Sequence, residues 1–279
     1  MNDEFLTIFS KVSEAMKQAS IMMEERATAI RQMTLSGDSS VADVEADEVV
    51  RLFKIRSLKL YSRTISFLSD EILKGNADKH FFLLPNARKL FDVYVRFLHL
   101  LRNCPNQGNQ AITCISYQLM SYHGLKNKEL YDNTIALSSN LIAREGVVFP
   151  DFKDFDYVWY LRKSGFAFSS NRDLLTEEVV NYYSNPPVKV FNGRDLVRLY
   201  GMISELAHGN PYFDYRGVYN ERFWIATISL MVSAYLIELV DKYTLDKGLR
   251  RDFREWFAGV ENLSKDITKA WPRKEFMEA

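Results

Sequence analysis

"FWIATISLMVSAYLI", Phe223 to Ile237, runs for fifteen residues without a charge, between Glu221 and Arg222 on one side and Glu238 on the other. A bilayer span needs roughly 20 apolar residues. The run is therefore too short to cross a membrane and reads as a helix buried on all sides inside a protein. Such a helix needs amphipathic helices packed around it. The rest of the chain supplies them.

Residues 3–33 place apolar side chains at Phe5, Ile8, Phe9, Val12, Ala15, Met16, Ala19, Met22 and Met23, the three-and-four spacing of one helical face. "LSGDSSVAD" (35–43) stops that helix, and Val44 to Leu73 resumes the spacing through Val49, Phe53, Leu60, Ile65, Leu68 and Ile72 until Gly75 and Asn76. Pro85 suits the first turn of a third helix running to about Asn103, because that turn has no use for the amide proton proline lacks. After the turn-rich "NCPNQGNQ" (103–110), a helix or helical pair covers about 109–144 with a break at Gly124. Asn192 caps a helix that ends at Gly209, the charge-free helix spans 218–243, and a last amphipathic helix covers Leu249 to Ala270.

Between these lies 145–190, crowded with aromatics, in which only Thr176 to Tyr183 reads as helix. It is expected to be an irregular insertion: a packed functional loop or a lid. Its Phe149, Phe152, Phe155, Tyr157, Trp159 and Tyr160 lack interleaved basic residues, so they read as the loop's own small core rather than as a base-stacking platform. Nothing alternates with period two for long. The expectation is an all-α multi-helix bundle, one domain over 1–279, with N-terminal helices in 1–76 and a core from 85–144 and 192–270.

Apolar residues make up 47% of the 279 positions and charged residues 26%, as in a folded soluble protein. Lysine plus arginine equals aspartate plus glutamate at 36 each, so no global field draws the protein to nucleic acid or an anionic membrane. Cys104 and Cys114 match no metal-binding or CxxC spacing, and a reducing cytoplasm is expected. The first residues, "MNDEFLTIFSKVSEAMKQ", lack the apolar core and cleavage site of a secretory signal. No GxGxxG, GxxxxGK[ST], HExxH or GxSxG motif occurs, so no cofactor or metal is expected.

Two polar stripes remain. Tyr200, Ser204 and His208 recur every four residues along one helical face, with Glu205 beside them. A histidine in a last helical turn is favoured in its charged form by the helix dipole, which suits a general acid or base near neutral pH. The same residues also read as a cap, His208 holding the final carbonyls while Ser204 and Tyr200 satisfy local hydrogen bonds. The second stripe, Arg88, Asp92, Val95, His99 and Arg102, lies opposite the core face Ala87, Phe91, Tyr94, Leu98 and Leu101. Asp92 is one turn from both Arg88 and Arg96 and can pair with either. The stripe is either a solvated face or, if it meets the His208 helix, one wall of a polar cleft.

"PNARKLFDVYVRFLHLL" (85–101) followed by "LYGMISELAHGNPY" (199–212) resembles the uncharacterised bacterial DUF5677-type helical proteins over about 85–215. That family joins an Arg-x-x-x-acid pattern, matched by Arg88 and Asp92, to a Tyr-x-x-x-Ser-x-x-x-His pattern, matched by Tyr200, Ser204 and His208. It in turn looks like the HEPN class of helical bundles, many of them metal-independent ribonucleases of toxin–antitoxin and antiphage systems. The resemblance implies a HEPN-like core, a homodimer and an RNA target in stress or phage defence. It further implies a catalytic set of His208, Arg88, Asp92, Tyr200 and Ser204. The sequence departs from the HEPN pattern at "RNCPNQ" (102–107), where Gln107 stands in place of histidine and cannot move a proton. Arg198, ten positions from His208, does not restore the spacing. The competing expectation is a non-catalytic, dimeric protein-interaction or regulatory module.

Overall fold

A computed structural model describes residues 3–33, 41–74, 83–104, 106–155, 221–245 and 251–270. Among them are eight α-helices and no strand: α1 (Asp3–Gln32), α2 (Val41–Glu71), α3 (Leu84–Leu98), α4 (Gln107–Gly124), α5 (Lys128–Leu137), α6 (Ser139–Arg144), α7 (Glu221–Tyr243) and α8 (Arg251–Ala270). A π-helical turn, His99–Asn103, continues α3, and a 3-10 turn covers Phe152–Asp154. The expected helix over 192–208 and residues 156–190 of the insertion lie outside the described residues. The chain divides into two compact units, one of residues 1–27, 57–95 and 171–279 and the other of 28–56 and 96–170. Three of the boundaries fall inside α1, α2 and α3 rather than in the linkers that composition marks.

In the first unit the charge-free run is buried as its composition demands. From Ile225 to Ile237 no side chain is more than 1% exposed. No described helix is long and apolar enough to cross a membrane. The surrounding helices bury seven-residue repeats: Phe9, Val12, Met16, Ala19 and Met23 on α1, and Leu58, Tyr61, Ile65 and Leu68 on α2. Two hydrogen-bonded contacts fix how α1 and α2 meet. Ser13 Oγ donates to the Ser69 carbonyl at 2.8 Å, and Ser20 Oγ to the Ser62 carbonyl at 3.1 Å. Seven residues forward on α1 match seven back on α2, so the pair is antiparallel. Leu60, expected on the core face of α2, is 51% exposed because that face runs through Leu58 and Tyr61 instead.

Three helices hold α7 by polar as well as apolar contacts. Ser233 Oγ donates its one proton to the Ser229 carbonyl, so the Tyr61 hydroxyl must donate to Ser233 Oγ across 2.8 Å. Tyr94 of α3 stacks on Tyr235 at 5.9 Å. Arg26 occupies the α1 repeat position between Met23 and Ile30 and is fully buried. Its Nε and Nη2 donate to the two carboxylate oxygens of Asp241 at 2.7 and 2.6 Å, a bidentate pair with both side chains 0% exposed. Against α1 lies α8, whose Phe253, Trp256, Val260, Leu263 and Ile267 are buried, with Trp256 Nε1 donating to the Ala15 carbonyl at 2.9 Å.

In the second unit α4, α5 and α6 pack with the N-terminal part of α2. Ala46 and Val50 meet Ala111, Ile112, Ile115, Leu119, Tyr131 and Leu141 in one core. The break at Gly124 is where α4 ends; Asn127 then caps α5 by accepting from the Leu130 amide at 3.0 Å. Gly108, in the first turn of α4, leaves room for the Glu145 carboxylate: a Cβ there would stand 2.0 Å from Glu145 Oε1. A carboxylate at a helix start is favoured by the dipole. The insertion begins as a small aromatic core. Tyr131 meets Phe152 and Phe155 edge-on at 5.4 and 5.6 Å, and its hydroxyl donates to the Pro150 carbonyl at 2.8 Å.

Candidate functional site

Tyr200, Ser204 and His208 lie outside the described residues, so the expected meeting of their helix with that of Arg88 does too. Arg88 and Asp92 stand one turn apart on α3, and both are half-buried. Their stripe is not a solvated face, because Val95 is fully buried and His99 is only 2% exposed. The reason is that α3 carries apolar side chains nearly all round: Leu90, Phe91, Val93, Tyr94, Phe97 and Leu98 are all buried. Exposure is left to Pro85, Lys89 and Arg96. Arg96 lies over the Tyr117 ring at 5.2 Å, a cation–π contact.

His99 opens the π turn, a wider turn that interrupts regular helical hydrogen bonding. Burial pushes its imidazole pKa down to about 4, so it is neutral at physiological pH and a weak base there. The backbone of Arg102 and Asn103 lies in the same turn. Gln107, at the position where the HEPN pattern has histidine, is exposed in the first turn of α4, and its Nε2 donates to Asp47 Oδ1 at 3.0 Å. Gln107 is thus committed to an inter-helix hydrogen bond.

A titratable group that sequence reasoning passed over sits inside the second unit. Cys104 Sγ and Thr113 Oγ1 are 3.3 Å apart, and Lys54 and Cys114 influence each other's charge. Burial lowers the Lys54 pKa, with Cys114 and Asp47 working against it. Burial raises the pKa of both thiols, which the Thr113 hydroxyl partly offsets at Cys104 and Lys54 at Cys114. A buried, protonated thiol is a poor nucleophile, so this cluster is inert packing. Accordingly, native protein should react with an aromatic disulfide reagent on the order of a hundredfold more slowly than urea-unfolded chain, limited by local opening of the unit. Rapid labelling of either cysteine in the folded protein would refute this.

His123, near the end of α4, packs on Phe152 and Phe155 with 5.1 Å between ring centroids in each case, closing the aromatic core. Among the described residues no group of three or more His, Cys, Asp or Glu side chains is gathered to hold a metal ion.

Among the described residues, a groove of about 1030 Å³ runs along α1 and α8 in the first unit. Its floor is apolar, from Ala15, Met22, Trp256, Val260 and Leu263, and five carboxylates line it, Glu14, Glu25, Asp252, Glu255 and Asp266, against Lys11 and Lys17. Lys17 is engaged with Asp70 at 3.1 Å, Glu255 with Arg251 at 2.7 Å, and Asp252 stands 3.9 Å from Arg26. The local sequence explains the shape. Every third or fourth residue of α8 faces α1, which leaves Glu255, Gly259 and Asn262 on the open side. The sequence signal was a glycine in mid-helix on an otherwise regular amphipathic pattern.

Comparison of the chain with protein-family models, with curated proteins and with solved structures gives no match.

Proposed function

We propose that the protein is a non-catalytic helical interaction module of the cytoplasm, which receives a protein partner in the α1/α8 groove. What supports this reading is the groove itself, an accessible hollow with an apolar floor and charged walls. The described acid–base candidates point the same way: His99 is buried and neutral, and Gln107 cannot relay a proton.

A second reading, HEPN-like RNA cleavage, is favoured by the half-buried Arg88 and Asp92 on a helix whose other charged residues are exposed. In it His208 takes the proton of a ribose 2′-hydroxyl as that oxygen attacks the neighbouring phosphorus, and the 5′-oxygen leaves with a proton. Arg88, held by Asp92, binds the phosphate, while Tyr200 and Ser204 orient the groups. This reading also carries the homodimer and the role in stress or phage defence that the family resemblance implies.

Incubation with total RNA separates the two. The parent protein, His208→Ala and Arg88→Ala are expected to leave RNA equally intact. Fragments that appear with the parent and vanish with His208→Ala would overturn the module reading in favour of the nuclease, and sedimentation of the same samples reports the dimer.

A further inference from the structure

We infer that the outward face of α2 in the first unit docks an acidic amphipathic helix of a partner protein, seated on Leu60 and Phe67 with its carboxylates on Arg63 and Lys59. This face shares no residue with the α1/α8 groove and is independent of what the groove holds.

Two seams run along α2. The inner one, Leu58, Tyr61, Ile65 and Leu68, is buried. On the other side of the helix Leu60, Arg63 and Phe67 repeat the same three-and-four spacing, but Leu60 is 51% and Phe67 46% exposed, with Arg63 exposed between them. The fold thus leaves apolar area in water at two positions seven residues apart. A seam of that spacing is what a second helix fills, by setting its own side chains between those of the first.

The partner's charge follows from cations that have no acid of their own. Every charged residue from 49 to 69 is basic: Arg51, Lys54, Arg56, Lys59 and Arg63. Elsewhere in the unit Lys17 pairs with Asp70, Lys74 with Glu71 and Arg251 with Glu255. Lys59 and Arg63 form no hydrogen bond or ion pair among the described residues, and Asp70, the next acid along the seam, is held by Lys17. A helix that carries glutamate or aspartate one turn from its apolar residues meets both the cations and the apolar pair.

The other occupants fit less well. Arg63 lies on the line between Leu60 and Phe67, so sinking both into lipid would draw a guanidinium in with them, whereas interfacial helices keep apolar and charged residues on separate faces. A nucleic-acid backbone would set phosphates against Leu60 and Phe67 and leave their apolar area unused. A second copy using the same seam would bring like charges together around Arg63.

The test uses the full chain and three fluorescein-labelled 18-residue helical probes, in which leucine is combined with glutamate, with lysine or with glutamine, beside oligouridylate and phosphatidylserine vesicles. The glutamate probe should bind the parent protein, more weakly as salt rises. Arg63→Glu should weaken it about tenfold, the loss expected for one central contact, and should gain binding of the lysine probe. Leu60→Gln/Phe67→Gln should weaken the glutamate probe to a similar extent. These positions are exposed, so each variant should keep the parent's melting temperature. Equal binding of the glutamate probe by parent and Arg63→Glu overturns the inference, as does failure of that probe to bind. If the glutamine probe binds the parent as tightly as the glutamate probe does, the acidic partner is wrong and the inference falls. Binding of oligouridylate or of vesicles that Arg63→Glu abolishes, without binding of the glutamate probe, gives the face to nucleic acid or lipid and overturns it too. Self-association that Leu60→Gln/Phe67→Gln abolishes assigns the seam to a second copy, with the same consequence.

Discussion

Asp241→Asn should cost the first unit about 3–5 kcal/mol, one of the largest losses open to a single conservative replacement in this protein. The Arg26 guanidinium sits on the α1 core face, 0% exposed, and donates two hydrogen bonds of 2.7 and 2.6 Å to the Asp241 carboxylate. With that carboxylate gone, the buried cation keeps only the Met22 carbonyl at 3.1 Å and the Asp252 carboxylate at 3.9 Å. Neither replaces a bidentate counter-ion in a medium that solvates charge poorly. Arg26→Met should cost a similar amount, now because Asp241 is stranded. The double variant Arg26→Met/Asp241→Leu should recover most of the loss, since well-packed apolar side chains of similar volume often equal or exceed a buried ion pair. Urea denaturation followed by helical circular dichroism measures all four chains. Additive costs in the double variant would show that the charges hold the unit through other groups. The pair also has a reason to exist beyond stability. The small residues Ser13, Ser20 and Ala27 repeat every seven positions on α1, so a seven-residue slip would preserve much of its packing. Only one register pairs Arg26 with Asp241.

Such contacts mark the limit of what the sequence discloses. The helix of Phe223–Ile237 was legible because thirteen successive buried residues, 225–237, leave an unbroken apolar record. Helices α1 and α8 were legible because one face repeats at three and four. Arg26 was not, since a charge on an apolar face implies a partner without saying that the partner lies 215 positions away. Leu60 was misplaced because α2 has several apolar phases, and only contact with α1 and α7 selects among them. The division into two units left no trace in composition at the three boundaries that run through helices α1, α2 and α3. For the candidate site the pattern supplied residue types and spacing, Arg88 with Asp92 and Tyr200 with Ser204 and His208. It could not fix their depth. The stripe through His99 looks like a solvated face in one dimension, and its burial depends on the apolar residues that fill the remaining circumference of α3.

His99 therefore makes the second large prediction. Between pH 7 and pH 4 its protonation alone should cost the second unit about 3 kcal/mol, the weight of a pKa displaced by about 2.5 units. Burial sets the sign. In the unfolded chain the imidazole takes up a proton near pH 6.5, whereas in the folded chain it resists until about pH 4. The stabilising contribution is fully present above pH 6.5, drains away through that window, and changes no further below it. His99→Leu has no such titration, and every carboxylate is shared by both chains. The difference between their stabilities, measured by urea denaturation from pH 7 to pH 4, should thus change by about 3 kcal/mol even if the absolute stability of His99→Leu differs. Parallel curves would mean that His99 reaches solvent in the folded chain. The imidazole of the π turn would then exchange protons near neutrality.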